Sequence, residues 1–446
     1  MGVTRRGAVL AGPLLALGTS AHPARADERD EKIEALERQL GEMRADQERM
    51  RDEIRALRAG APSGAELEAA IAAVVQDMGD GAYATPSGVR RAGPALEIGG
   101  YFSTRYVSSQ LPGKRGSFVD MRLVPQIHAT ISPGIAFDSE IEVEHAGVGG
   151  PADGEILVEY AELSFELDPA FVLKAGTLLV PFGHFNLNHD DPMNELSERP
   201  RVARFVVPSA FGLPGVGAEG VLDFDSGVLS YDVAVTNGFR DAFSNDSGAR
   251  PTRGLFEDDE NHDKTVFGRV AFAPTESPFD AFSIGVSGVT GRLGADGGGE
   301  HDLTGWGVDT QAKLGPWEFV GEYDALDIDR AAGTAPAVGP GGVLGPVRGL
   351  SGYYGQLLYR IPVAGWPFAG DNASVGLVVR RDHVDLNDRV RGAAPQDDER
   401  AWSFGINYRP TAKTVVKLEY RIAESGFDGP DGRKRDFFAL EFATYF

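Results

Sequence analysis

Between Pro181 and Gly215 one stretch carries His184, Asn186, Asn188, His189, Asp190, Asp191, Glu195, Glu198, Arg199, Arg201 and Arg204, with Pro192, Pro200, Pro208 and Pro214 spaced through it. These side chains allow three kinds of chemistry. Imidazole and carboxylate donors bind metals, but the spacing of His184, His189, Asp190 and Asp191 matches no ligand motif, so no metal is expected. Nucleophilic catalysis needs a nucleophile beside a base. The chain has no cysteine, and none of its histidines sits in a nucleophile motif, so no enzyme is expected. The third possibility is a field. Arg199, Arg201 and Arg204, set against Asp190, Asp191 and Glu195 or against charges across a narrow gap, would orient dipolar solutes and select ions. The competing reading is that these groups, with Glu198, only pair with one another to hold the stretch in shape. Phe185, Phe205, Val206, Val207 and Phe211 supply apolar anchors. A loop of more than about 15 residues is usually functional or disordered, and anchors of this kind favour function.

The flanking residues must position this stretch. From Ala95 to Phe446 the hydrophobic pattern has period 2, the period of a strand with two unlike faces. The chain divides into about sixteen segments of the length a tilted membrane strand needs. Short connections at 132–134, 168–170, 225–227, 315–316 and 410–413, with two moderately short ones near 274–281 and 362–371, alternate with long ones at 110–117, 147–154, 182–214, 241–263, 294–302, 330–349, 387–397 and 426–434. Short turns on one rim and long loops on the other predict a transmembrane antiparallel β-barrel with an even strand number. Facing follows from the alternation. Trp317, Phe319 and Tyr323 face lipid, while Glu318, Glu322 and Asp324 face the lumen. Phe137, Ile141 and Val143 alternate with Asp138, Glu140, Glu142 and Glu144; Val416, Leu418, Tyr420 and Ile422 alternate with Lys417, Glu419 and Arg421. Charges along a whole inner face suit a water-filled channel, so Arg122, Glu140, Glu142, Glu144, Lys417, Glu419 and Arg421 are expected to line a pore. Tyr106, Trp306, Trp317, Tyr359, Trp402, Tyr408, Tyr445 and Phe446 lie near segment ends, where interface girdles form.

The N-terminal part obeys other rules. Residues 1–26 read as a secretory signal: Arg5 and Arg6, a short apolar stretch, and Ala24-Arg25-Ala26 as a cleavage site. Residues 27–59 place Ile33, Leu36, Leu40, Met43, Gln47, Met50, Ile54 and Leu57 at alternating spacings of three and four. That is a heptad seam with one polar core position, and it predicts an α-helical coiled coil. Residues 60–94 read as a linker with one short helix. The fold class expected is therefore all-β from 95 to 446, preceded by a coiled coil.

Net charge is -23, which excludes nucleic acid as a partner, because phosphate binding needs basic faces. The acidic run Glu257–Asp263 lacks the glycine and spacing of an EF-hand and reads as a solvated loop. The final strand closes on Phe446 at the last residue.

An exported chain, a coiled coil, about sixteen strands, a long third loop and a terminal Phe together resemble the trimeric porins of Gram-negative outer membranes. So does Gly176-x-x-x-x-Pro181-Phe182-Gly183 followed by Asn186 and His189. The chain resembles most the phosphate-selective and DcaP-like types. The resemblance implies passive diffusion of small hydrophilic solutes, no cofactor, a homotrimer in outer-membrane lipid and lipopolysaccharide, a periplasmic coil, and a third loop that folds inward to narrow the pore. Phosphate-selective members use a basic ladder. Here Glu97, Glu140, Glu142, Glu144, Glu162, Glu166, Glu318, Glu322, Asp324 and Glu419 match or outnumber the lumenal bases, so weak cation selectivity is expected instead. The alternatives are a structural or tethering barrel whose coil contacts peptidoglycan and, ranked below it, a barrel enzyme.

Overall fold

The computed structural model describes residues 95–109, 115–144, 155–245, 247–253, 261–294, 300–330, 337–339, 342–344, 347–387, 398–425 and 436–446. The regions read as signal, coiled coil and linker lie outside the described residues. The wall strands are β1 (Ala95–Ser109), β2 (Ser117–Ser132), β3 (Ile135–Glu144), β4 (Glu155–Asp168), β5 (Phe171–Leu179), β6 (Gly212–Phe224), β7 (Gly227–Thr236), β8 (Thr265–Pro274), β9 (Ala281–Leu293), β10 (His301–Leu314) and β11 (Trp317–Ile328). After a small ribbon, β12 (Ala337–Gly339) with β13 (Gly342–Leu344), the wall resumes with β14 (Gly349–Pro362), β15 (Ser374–Asp385), β16 (Asp398–Thr411), β17 (Thr414–Ser425) and β18 (Phe437–Tyr445).

Every wall strand pairs antiparallel with its neighbours, β11 pairs with β14, and β18 closes on β1 from Tyr101↔Tyr445 to Ser109↔Phe437. The result is a closed barrel of sixteen strands, as the alternation predicts. Closure removes the unpaired edges that an open sheet would present in lipid. Tight turns join most strand pairs on one rim, with longer connections only from β8 to β9 and from β14 to β15; Gly315, at φ +56, makes one of the turns, a conformation that costs a side chain strain.

The outer face is apolar: Ile98, Ile284, Val286, Phe319, Phe404, Ile406, Leu418, Phe438 and Phe442 are all exposed there. Aromatic rings pair across strands near the rims, Trp317 with Tyr359 at 4.7 Å and Trp306 with Tyr323 at 5.0 Å between centroids. Tyr445 departs from the expected girdle: its hydroxyl donates to Asp190 at 2.8 Å, so it points into the barrel.

Along β11 the inner face begins with Glu318, continues through buried Glu322 and Asp324, and ends in buried Leu326 and Ile328. The phase is constant while the chemistry changes from ionic to apolar. Val289, Leu293, Leu303, Leu350 and Val384 extend this apolar patch over β9, β10, β14 and β15 at the long-loop end of the lumen.

Candidate functional site: the loop inside the barrel

The loop leaves β5 at Leu179 and returns at Gly212, earlier than the expected 215, because Leu178↔Leu213 and Thr177↔Pro214 continue the ladder. Asn186 ties its two ends into a neck. Its Nδ2 donates to the carbonyls of Val180 (2.9 Å) and Phe211 (3.3 Å), and its Oδ1 accepts the Phe211 N–H at 2.8 Å. Gly183 has φ +74, its N–H donates to Ser287 Oγ at 3.1 Å, and a Cβ there would lie 2.2 Å from Glu322 Oε1. The other oxygen of Glu322 accepts the Phe185 N–H at 3.0 Å.

Beyond the neck the loop has two faces. The apolar one centres on a short helix, α1 (Arg201–Phe205), and the residues after it. Val202, Phe205, Val206, Val207 and Phe211 pack into the apolar patch on β9–β15. The β7–β8 connection covers them: Ala249 donates to the Phe205 carbonyl at 2.7 Å, and the Phe239 ring lies 4.9 Å from that of Phe211, tilted by 38°.

The polar face is fastened to the wall residue by residue. Asp190 accepts from Tyr445 and, at 3.3 Å, from Gln126. Asp191 accepts from Ser103 at 2.5 Å and Arg122 at 3.2 Å, and its carbonyl takes Lys417 Nζ at 2.6 Å. Glu195 accepts from Arg360 (2.8 Å), Arg409 (3.1 Å) and Asn407 (2.7 Å). Glu198 pairs with Arg105 at 2.7 Å, its N–H donates to Glu419 at 2.8 Å, and its carbonyl takes Arg380 at 2.8 Å. Arg201 donates through its backbone to Asp382 (2.9 Å) and through its guanidinium to Glu399 (2.5 Å), which also meets Arg421. Arg204 reaches Glu198 at 3.4 Å, and Arg199 donates to the Ser209 carbonyl at 3.0 Å.

The three loop arginines therefore differ. Arg201 is buried in an ion pair with the wall. Arg204 keeps a third of its side chain exposed (34%). Arg199 closes the loop on itself while Asp191 and Glu142 act on its charge. On the wall, Arg122 bridges Glu142 (2.9 Å) and Glu144 as well as Asp191, and Lys417 pairs with Glu441 at 2.8 Å. The wall charge is uneven. Carboxylates Glu140, Glu142, Glu144 and Glu159 crowd β3 and β4, whereas β14–β17 carry Arg360, Arg380, Arg409, Lys417 and Arg421 interleaved with Asp382, Glu399 and Glu419.

These pairs set protonation in the loop. Burial raises the Glu195 and Glu198 carboxyls, but the arginines around them outweigh it and hold both below the usual carboxylate range. Burial lowers His184 to about 4; its ring lies near Gln311 and Asn188. His189 sits elsewhere, its Nδ1 2.8 Å from the Asn186 carbonyl and its Nε2 2.8 Å from Glu159. Burial opposes the proton on His189, but Glu159 more than offsets it and raises the imidazole to about 9.

The alternation pattern misses Glu159. Its odd number puts it out of phase with Tyr160 and Glu162, and only the bulge opposite Glu140/Ile141 turns it inward. It also misses Arg380 and Asp382. They alternate along β15, but Arg381 and His383 carry polarity on the opposite phase and obscure the signal.

A closed antiparallel sixteen-strand barrel, apolar outside, charged inside and crossed by a loop from its fifth connection, is the fold of outer-membrane porins. The chain is similar over 80% of its length to OmpF of Salmonella typhi, solved with daunomycin, at 12% identity, 99% of that chain and a TM-score of 0.52. It is similar over 79% to OprB of Pseudomonas putida, at 10% identity, 94% of that chain and a TM-score of 0.50. A curated relative, an uncharacterized protein of Aquifex aeolicus strain VF5, is 26% identical over 342 residues, covering 73% of this chain and 75% of that protein. No protein-family model matches the chain.

Proposed function

We propose that this chain is an outer-membrane porin through which small hydrophilic solutes or ions diffuse passively, with the loop first read as 182–214 narrowing the lumen. One observation carries this reading: an apolar-coated barrel whose charged interior is spanned by a single loop docked to strands on both sides. Barrels of this strand number leave an aqueous channel, and the loop divides it. A cavity of about 200 Å³ remains between the loop and β10, β11, β14 and β15, lined by Glu195, Glu198, Glu318, Arg380, Gln311 and Gln356 among others. This is the eyelet. Carboxylates clustered on β3 and β4, across the barrel from Arg360 on β14 and Arg380 on β15, produce a field across the lumen, in which Arg204 is the loop's adjustable charge. The overall acidity of the lumen favours cations weakly. A homotrimer, in lipid and lipopolysaccharide, completes the assembly.

Planar-bilayer recording on the purified protein tests the reading. Conductance in three equal steps supports a trimeric porin. A folded barrel with no conductance refutes channel function, and a reversal potential in a salt gradient that favours anions refutes the cation preference.

A further inference from the structure

Glu140 on β3, Glu159 on β4 and His189 in the loop bring one ligand atom each to within 4.8 Å of the others. All three are buried, at 2%, 1% and 2% exposure. The His189 Nδ1–H donates to the Asn186 carbonyl at 2.8 Å, so the ring is oriented with Nε2 toward the carboxylates. A backbone acceptor on the far nitrogen is the usual support for a metal-ligating histidine. Glu140 Oε2 is held by Gln126 at 3.1 Å. Glu140 Oε1 and Glu159 Oε1 are buried with no hydrogen-bond partner. Leaving a buried carboxylate oxygen unmatched is costly, and each of the two carboxylates of the cluster carries one. The bulge at Glu159 breaks the β3–β4 ladder and turns an out-of-phase carboxylate toward His189.

We infer that Glu140, Glu159 and His189 form a binding site for a divalent transition-metal ion, of which Zn²⁺ is the best representative, and that the ion fastens the loop to β3 and β4. One imidazole and two carboxylates suit zinc and its neighbours better than Ca²⁺ or Mg²⁺, which take oxygen ligands. Zinc bonds of about 2.0–2.2 Å in tetrahedral geometry put ligand atoms about 3.3–3.5 Å apart. The 2.8 Å contact between His189 Nε2 and Glu159 must therefore open by roughly half an ångström. The ion takes the place of the proton between those two groups, and that proton leaves to solvent. Three protein ligands leave the fourth position to water.

The test uses the full-length protein folded in detergent, stripped with a chelator, then titrated with ZnCl₂ by calorimetry and by metal analysis after gel filtration. One zinc per chain is expected, with X-ray absorption showing nitrogen and oxygen ligands. Glu140→Gln and His189→Gln should each weaken binding at least about 10- to 100-fold. His301→Gln, on β10, should leave it unchanged. Folding of each variant is checked by its β-type circular dichroism and heat-dependent gel mobility. Glu140→Gln, which keeps the side-chain size and an oxygen for Gln126, serves as the second variant if His189→Gln does not fold. Failure of the folded wild type to retain zinc overturns the proposal. So does wild-type affinity in Glu140→Gln, equal binding of CaCl₂, or loss of binding in His301→Gln. None of these outcomes bears on conductance, so failure here is distinct from failure of the channel reading.

Discussion

Glu195→Gln isolates the clamp that sets the eyelet. The carboxylate takes Arg360 at 2.8 Å, Arg409 at 3.1 Å and Asn407 at 2.7 Å. Glutamine keeps the size and one acceptor oxygen, but not the charge both guanidinium groups share. Neither arginine is stranded by the change: Arg360 keeps Glu318 at 3.0 Å, and Arg409 keeps the Pro192 carbonyl at 2.7 Å. The loss is thus one to two charge-assisted bonds without an added penalty for an orphaned cation, about 2–4 kcal/mol. At about 1.4 kcal/mol per tenfold, the locally open population of 192–198 rises about 30- to 700-fold. The chain has no cysteine, so a single Ser197→Cys reports opening cleanly, because Ser197 is 7% exposed. Maleimide labelling of Ser197→Cys with and without Glu195→Gln should differ by that factor, with more frequent high-conductance excursions in bilayers. Equal labelling rates would mean the loop is held elsewhere. Faster labelling with an unchanged current would mean that this segment does not constrict the pore.

Three further outcomes follow from the same contacts. Gly183→Ala combines a left-handed φ with a Cβ 2.2 Å from Glu322. The strain and the displaced Phe185–Glu322 bond sum to about 2–3 kcal/mol, read as a lower midpoint of urea unfolding; an unchanged midpoint refutes the neck geometry. Arg201→Ala removes one partner of buried Glu399 and should cost about 3 kcal/mol of folding stability. Arg204→Ala, a third exposed, should cost at most about 1 kcal/mol and instead shift the reversal potential; the opposite ranking would reverse their assigned roles. Acid should release the loop. Glu195 and Glu198 have folded values below their unfolded ones, so their contribution is full above the usual carboxylate range and is lost as pH falls through the folded values. His184, lowered to about 4 by burial, stays neutral where the unfolded chain would take a proton, so its effect has the same sign below about 6.5. Ser197→Cys labelling, divided at each pH by the rate for the same cysteine in the urea-unfolded chain so that the falling thiolate fraction cancels, should quicken from pH 7 toward pH 4, and a flat normalised profile would contradict the clamp.

The barrel could be read from the sequence because lipid on one side and water on the other impose a period of two, and a whole strand repeats the signal. In β11 the assignment of Trp317, Phe319 and Tyr323 outward and Glu318, Glu322 and Asp324 inward holds residue by residue. The loop was recognisable as an insertion, since charge, proline and aromatic residues interrupt the pattern together. Its partners were not recognisable. Arg201 meets Glu399 across 198 positions of sequence, and alternation says which residues face the lumen but not which ones meet there. Glu159 escaped because a bulge overrides phase, and Tyr445 because an aromatic ring near a rim fits a girdle as well as a hydrogen bond to Asp190.

The loop's orientation follows from two environments that cannot be exchanged. Leu326 and Ile328 continue the inner phase of Glu322 and Asp324, so the lumen is apolar toward the long loops and ionic below. Phe205, Val206, Val207 and Phe211 follow the loop's charged half in sequence, and the Asn186 neck returns them beside Val180. A loop turned over would bury Glu195 and Glu198 against Leu293 and Leu303, several kcal/mol per unpaired charge. It would also strand Arg380 and Arg409 on the wall. A single docked arrangement thus dominates although no disulfide ties it, and the eyelet keeps its shape because the strand pattern that makes the barrel also makes the loop's two seats.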